Sequence, residues 1–256
     1  MKVKSLLVTI LLGCIAFQGI AAEKKGQRIV YIGDSITDGN WACLNGKKSS
    51  DRKHKEWDKN HVFGSGYMYL CAAHYTATEP EKAYEFFNRG ISGHELVDLE
   101  QRWQEDVIDM KPDVLSVLVG INDVQTHLNH HPEKPFDIDG WEKRYRKLLD
   151  EALQANPNLK IVLGTPFLFR AGGFDKENYP EREKYVYQCI AVVEKLAKEY
   201  KTVYVPFHKM FNDLVKKYPN NPNTYWLWDG CHPTPAGHSY MSKLWIKLVN
   251  KAGYMK

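Results

Sequence analysis

The sequence lacks the features of several large protein classes. Beyond its N-terminal segment no apolar run reaches the roughly 20 residues of a transmembrane helix, so a membrane span is not expected. Its 35 basic residues nearly balance 31 acidic ones, which argues against a nucleic-acid partner. None of its five cysteines forms a C-x-x-C pair, so a zinc ribbon is not expected. The chain has 256 residues, 43% of them hydrophobic, which is enough for one large α/β domain or two small ones.

The first 22 residues are predicted to be a secretory signal peptide. Two lysines precede an uncharged run that ends in Ala21 and Ala22, where cleavage is expected. The mature protein, a single domain over 23–256, would then be secreted or periplasmic. The alternative is a lipid anchor at Cys14, because the four residues ending there resemble a bacterial lipoprotein cleavage site.

The rest of the chain alternates short apolar runs with longer amphipathic ones. Such alternation predicts an α/β fold with a buried parallel sheet and helices on both faces. The predicted strands are Arg28–Ile32, Tyr84–Asn88, Asp113–Val119, Leu159–Leu163 and Thr202–Val205. The predicted helices are Gly66–Tyr75, His94–Ile108, Gly140–Ala155, Glu181–Tyr200 and Ala236–Lys251.

Polar residues follow three of these strands, and a fourth polar stretch precedes the last helix. Ligands of parallel sheets bind outside the carboxyl ends of the strands, so these four stretches are expected to meet there. They are Gly33-Asp34-Ser35, Asn88-Arg89-Gly90, Gly120-Ile121-Asn122-Asp123 and the segment WDGCHPTPAGH over 228–238.

The first and last stretches contain the residues of a serine nucleophile and its base. A serine needs a base, and a histidine base needs a third group that holds its tautomer. Asp229 and His232, three residues apart in a proline-stiffened turn, can supply both for Ser35. The alternative is local: Ser35 and Asp38 match a helix capping box, and Asp229 or Thr234 can cap the last helix.

The two middle stretches offer donors for a developing oxyanion. The Gly90 N–H allows close approach of a substrate, and Asn122 offers a side-chain amide. Their ordinary alternatives are turn glycines at Gly90 and Gly93, and a turn or helix cap at Asn122-Asp123.

Taken together, the four stretches resemble the four blocks of the SGNH hydrolase superfamily, also called GDSL esterases and lipases. They occur in family order over 28–238, with Ile36 in place of the leucine of GDSL. The resemblance implies a flavodoxin-like three-layer α/β/α sandwich with a five-stranded parallel sheet. It implies Ser35, His232 and Asp229 as nucleophile, base and orienting acid. It also implies an oxyanion hole of the Ser35 N–H, the Gly90 N–H and the Asn122 amide, with no metal or organic cofactor.

Within that superfamily the blocks look most like those of bacterial acetylxylan and carbohydrate acetylesterases. The expected function is removal of acetyl groups from carbohydrate through an acyl-enzyme on Ser35. Trp41, Trp226 and Trp228 are candidate sugar-binding rings, although such rings equally anchor loops in a core. The alternatives are a short-chain lipid or thioester hydrolase with the same triad, and an inactive carbohydrate-binding protein on this scaffold.

Three further features lie outside the four blocks. The charged insertion over 45–61 is expected to be a solvated loop at the rim of the site. His127, His130 and His131 have a spacing compatible with a metal, but the absence of nearby cysteines or patterned carboxylates favours a solvated loop. Export permits disulfides among the four later cysteines, and pairing of Cys231 with Cys43 would tie two active-site loops together. The four cysteines are Cys43, Cys71, Cys189 and Cys231.

Overall fold

A five-stranded sheet forms the centre of the computed structural model, which describes residues 26–39, 43–44, 47–48, 63–174 and 178–256. Its strands are β1 (Arg28–Gly33), β4 (Glu85–Gly90), β5 (Val114–Leu118), β6 (Lys160–Gly164) and β7 (Val203–Val205), and a separate ladder pairs β2 (Cys43–Leu44) with β3 (Lys47–Lys48). The sheet order is β4-β1-β5-β6-β7, and every neighbouring pair is parallel. The predicted five-stranded parallel sheet is confirmed, with strand ends shifted by no more than two residues.

Burial explains why the strands could be recognised. All five residues of β5 are buried, as are the last five of β1, so both strands are apolar on both faces. The edge strand β4 instead alternates buried and half-buried residues. Its sequence is accordingly less continuous, and the predicted strand stopped two residues early.

The helices form the two outer layers. Their bounds are α1 (Ser35–Asp38), α2 (Tyr67–Thr78), α3 (Leu96–Gln101), α4 (Ile121–His130), α5 (Ile138–Ala155), α6 (Tyr179–Glu199), α7 (Phe207–Lys217) and α8 (Pro235–Lys251). In one layer α2 and α7 both pack against α8; in the other, α5 contacts α3 and α6, and α6 contacts α4. This is the predicted three-layer α/β/α arrangement.

Two helices were not predicted, and one predicted helix is broken. The expected solvated loop at His127 and His130 is wrong, since both lie in α4, whose core face is carried by only three apolar residues. In α7 the buried side chains are spaced by helical periods, but the helix follows β7 with almost no connecting loop. The predicted helix 94–108 ends after α3, and a π-helical turn over Gln104–Ile108 leads to β5.

The strand order determines where a ligand can bind. From β1 the chain crosses first to β4 at one edge and then back past β1 to β5, so the connections after β1 and β5 lie on opposite faces. A crevice opens between such connections at the carboxyl ends of the strands. Ser35 follows β1 and Asn122 follows β5, so both lie at this crevice. None of the helices in the described ranges has both the length and the apolar composition needed to cross a bilayer.

Candidate active site

Ser35 is the first residue of α1, directly beyond the carboxyl end of β1. The helix is capped by Asp34, whose Oδ1 accepts a hydrogen bond from the Ile36 N–H at 2.9 Å. The alternative that Ser35 itself caps the helix is therefore wrong. Its Oγ lies 2.8 Å from Nε2 of His232, and among the described residues its backbone N–H has no acceptor.

His232 is held by a tight turn that begins at Asp229. Oδ2 of Asp229 lies 2.6 Å from Nδ1 of the ring, while Oδ1 accepts from the backbone N–H groups of Cys231 and His232 at 3.0 and 2.8 Å. A backbone bond from Trp228 to the His232 carbonyl closes the turn. The turn brings the aspartate to one side of the ring and Ser35 to the other, while Thr234 caps α8.

The electrostatics match a base whose charged form is stabilised by its carboxylate partner. Burial opposes ionisation of Asp229, but its hydrogen bonds from the ring and backbone of His232 lower its pKa. The hydrogen bond to Asp229 outweighs burial and raises the pKa of His232. Burial raises the pKa of Asp34 to about 7 and lowers that of His238 to about 4. His238 accepts the Tyr67 N–H through Nδ1, so it remains neutral beside the base.

The structure corrects one predicted oxyanion donor. The Gly90 N–H donates to Oδ1 of Asn88 at 2.9 Å, and both residues are buried against α1. A proton used in this way does not face the crevice, so the prediction for Gly90 is wrong. Gly93, three residues on, has φ of +83°, open space where a Cβ would lie, and an N–H without an acceptor among the described residues.

Asn122 lies in the first turn of α4 beside the Gly93 loop. Its Nδ2 donates to the carbonyl of His94 at 3.1 Å, which orients the amide and leaves a second amide proton. Asn122 and Gly93 thus meet at the end of β5, as an oxyanion hole requires.

Two buried residues missed by the sequence analysis hold these loops in place. Asn88 donates through Nδ2 to the carbonyls of Thr37 and Asp38. Oδ2 of Asp38 accepts from the N–H and Oγ of Ser92 at 2.9 and 2.6 Å. Asn88 lies inside one of the four polar stretches, but nothing in the sequence shows that its side chain faces α1.

The three candidate tryptophans differ in position. Trp228 is 61% exposed, and its ring lies 5.9 Å from that of His232 at an interplanar angle of 22°. Trp226 is only 4% exposed and packs on Tyr225 and Tyr240, so the prediction that it contacts substrate is wrong. Trp41 lies outside the described residues, as does most of the 45–61 insertion.

The cysteines and histidines were also candidates for disulfides and metals. Cys71, Cys189 and Cys231 are free and buried, whereas the side chain of Cys43 lies outside the described residues, so its pairing stays a prediction. Among the described residues, the three clustered histidines do not form a metal-holding group with other ligands. In the part of the chain that the structure describes, one group of three ligand types does: Asp229, Cys231 and His232.

Comparison with known proteins gives consistent matches. Residues 31–240 match the GDSL-like Lipase/Acylhydrolase family. The chain is 34% identical over 229 residues to an acetylxylan esterase of Geobacillus stearothermophilus, covering 88% of this chain and 94% of that one.

Solved structures of proteins with related sequences also match the chain. A Parabacteroides merdae protein described as a GDSL-like lipase is 32% identical with a TM-score of 0.75, covering 89% and 97% of the two chains. A variant of Axe2, an acetyl-xylooligosaccharide esterase of Geobacillus, is 29% identical with a TM-score of 0.71 over 89% and 96%. Three other Axe2 variants, described as catalytic mutants, replace an aspartate, a histidine and a serine by alanine.

Proposed function

The chain belongs to the GDSL-like lipase/acylhydrolase family of serine ester hydrolases, and we propose that it removes acetyl groups from xylan-derived or related carbohydrate. The observation that carries the proposal is the hydrogen-bonded series from Ser35 Oγ through His232 to Asp229, with contacts of 2.8 and 2.6 Å. The same three residue types are replaced in the catalytic mutants of Axe2.

The proposed reaction consists of two acyl transfers. Ser35 Oγ attacks the ester carbonyl while Nε2 of His232 takes its proton, and the charged ring is stabilised by Asp229. The ring then gives the proton to the departing sugar oxygen. Water repeats the sequence on the acyl-enzyme and releases acetate. Since hydrogen bonds already align the three side chains, little reorganisation precedes the attack.

The proposed oxyanion hole combines the Ser35 N–H, the Gly93 N–H and the Asn122 amide. The first two have no acceptor among the described residues, and the third is oriented by the His94 carbonyl. Loss of one such donor costs about 100- to 1,000-fold in kcat. Asn122→Ala should fall in this range. Activity within threefold of wild type would remove Asn122 from the hole.

Trp228 supports a carbohydrate substrate. Its exposed ring lies nearly parallel to the His232 ring at a centroid distance of 5.9 Å, so a sugar that packs on the exposed face of Trp228 lies near the proposed catalytic base. Aromatic rings provide a large contact area at low entropic cost. A second support is that the matched Geobacillus relative is an acetylxylan esterase.

The decisive experiment measures acetate release from acetylated xylo-oligosaccharides. Wild type should release acetate and Ser35→Ala should lose nearly all activity while its thermal unfolding is unchanged. A fluorophosphonate probe should label wild type and not the variant. Equal activity in both would remove Ser35 from its role, and a preference for p-nitrophenyl esters of eight or more carbons would favour a lipid substrate.

We further propose that the chain is exported, with residues 1–22 removed as a signal peptide. The support is the basic start, apolar run and small-residue exit at Ala21-Ala22. N-terminal sequencing of protein recovered from the periplasm or medium should begin near Glu23. A mature chain that begins at a lipid-modified Cys14 would establish the anchor instead.

A further inference from the structure

The turn that carries the catalytic histidine also carries a thiol. Cys231 is 3% exposed, and its Sγ lies 3.2 Å from Nδ1 of His232, the nitrogen that contacts Asp229. A thiol sulfur, a ring nitrogen and a carboxylate oxygen thus lie within 4.8 Å of one another. The proposed reaction uses the histidine and the aspartate but gives the thiol no role.

These three groups are the protein ligands that Zn²⁺ prefers. Tetrahedral zinc with bonds of about 2.0 Å to nitrogen and oxygen and about 2.3 Å to sulfur places its ligands roughly 3.3 to 3.6 Å apart. The Sγ to Nδ1 distance of 3.2 Å already approaches this value. The Nδ1 to Oδ2 contact of 2.6 Å must widen by about 0.7 Å, and the sulfur and the carboxylate oxygen, which lie within 4.8 Å of each other, must come to about 3.5 Å.

The three side chains differ in exposure. The His232 side chain is 36% exposed and that of Asp229 is 14% exposed, whereas Cys231 is 3% exposed. With three protein ligands, a bound zinc ion would keep its fourth position for a water.

We propose that Cys231, His232 and Asp229 form an inhibitory site for a thiophilic divalent ion such as Zn²⁺. The S–H bond of Cys231 breaks, its proton passes to solvent, and sulfur binds the metal. The imidazole proton moves from Nδ1 to Nε2, so the Nδ1 lone pair binds the metal. No group is oxidised or reduced.

Metal binding in this way abolishes general-base function. A ring protonated on Nε2 can only donate to Ser35 Oγ and cannot accept its proton, and the bound carboxylate no longer faces Nδ1. Loss of activity rests on the function proposed above, whereas binding of the metal does not.

The chain provides matched controls. Cys71 and Cys189 are also free, buried thiols, but neither belongs to a three-ligand group among the described residues. Alanine at either position removes a thiol without touching the proposed site. Cys43→Ala tests the thiol whose side chain lies outside the described residues.

The binding experiment titrates the full chain with Co²⁺, whose thiolate complexes absorb in the near ultraviolet. Wild type and Ser35→Ala should both develop a thiolate-to-cobalt band at one equivalent, which Zn²⁺ should displace. The band should persist in the three control variants and vanish in Cys231→Ala and in the isosteric Cys231→Ser. A band that survives in folded Cys231→Ala or Cys231→Ser, or that never forms in wild type, would overturn the proposal.

The activity experiment compares each variant with and without Zn²⁺, so that its own metal-free rate is the reference. The Zn²⁺ concentration for half-inhibition should rise by about 100-fold in Cys231→Ala and remain unchanged in Cys71→Ala and Cys189→Ala. Equal Zn²⁺ concentrations for half-inhibition of Cys231→Ala and wild type would refute the proposed site. If wild type hydrolyses no ester, the proposed function fails, while the cobalt band still tests the metal site.

Discussion

Two adjacent glycines provide a test of how Asp229, the proposed orienting acid, is positioned. The loop after β6 lies on the Asp229 turn: the Phe169 N–H donates to the Gly230 carbonyl at 2.8 Å, and the Phe174 N–H donates to the Asp229 carbonyl at 3.2 Å. A Cβ on Gly172 would lie 2.6 Å from the Asp229 Cα, whereas one on Gly173 would meet nothing within 4 Å. Gly172→Ala therefore places a methyl group against the backbone of Trp228 and Asp229, whereas Gly173→Ala does not.

The expected loss follows from this contact. Relief of the overlap requires about 0.8 Å of movement, and a displacement near 1 Å in a catalytic group costs about 100-fold. Gly172 also has φ of +50°, where an L residue costs roughly 1–2 kcal/mol. We expect kcat/KM of Gly172→Ala to fall by about 100-fold. We also expect its free energy of unfolding to fall by at least roughly 1–2 kcal/mol. The free energy of unfolding of Gly173→Ala should stay within about 0.5 kcal/mol of wild type, and this variant should retain activity.

A pH profile of kcat/KM separates displacement of Asp229 from general destabilisation. The hydrogen bond to Asp229 raises the pKa of His232, so a longer bond lowers that pKa. The acid limb of Gly172→Ala should consequently move to lower pH, although its plateau is reduced. Full activity in Gly172→Ala, equal losses in both variants, or an unshifted acid limb would refute the reasoning.

Three other substitutions give distinct outcomes. In wild type, kcat/KM should rise with pH as His232 loses its proton, and Asp229→Asn should shift this limb to lower pH and reduce the plateau by about 10⁴. Trp228→Ala should raise KM for oligosaccharides more than for p-nitrophenyl acetate, whereas the buried Trp226→Ala should cost about 3–5 kcal/mol of stability. Burial raises the pKa of Asp123 to about 7, so the folded state binds more protons than the unfolded state from about pH 4 to 7. Its contribution to stability is therefore greatest at low pH and falls by up to about 1.4 kcal/mol per pH unit, and Asp123→Asn should gain stability relative to wild type as pH rises.

Each of these expectations has a contradicting result. An unshifted acid limb in Asp229→Asn would show that Asp229 does not raise the pKa of His232. Equal KM changes for the two substrates in Trp228→Ala would remove its stacking role, and unchanged melting of Trp226→Ala would contradict its burial. Parallel stability curves of wild type and Asp123→Asn between pH 4 and 7, measured by denaturant unfolding, would contradict a raised pKa.

The inner strands β1, β5 and β6 could be predicted because burial on both faces leaves a continuous apolar signal, whereas the alternating edge strand β4 was predicted with its end two residues early. The helices depended more on context. In α4 seven of the ten residues are polar, so only three apolar positions mark its core face. In α7 the signal is strong, but β7 precedes it so closely that the two elements merge in the sequence.

The candidate active-site residues divide in the same way. The motifs alone indicated Ser35, Asp229 and His232 as the candidate triad, because a nucleophile and its partners must be specific residue types. Packing in three dimensions showed that Asp34 and not Ser35 caps α1, and that Trp226 is buried while Trp228 is exposed.

It also decided between two glycines three residues apart. Gly90 and Gly93 are equivalent as residue types, but the Gly90 N–H is used by Asn88 and that of Gly93 has no acceptor among the described residues. The direction of an N–H and the exposure of a ring depend on what other elements place beside them. Residue identity thus indicated which chemistry is available to this chain, and packing between distant segments determined which of its groups are buried and which are exposed.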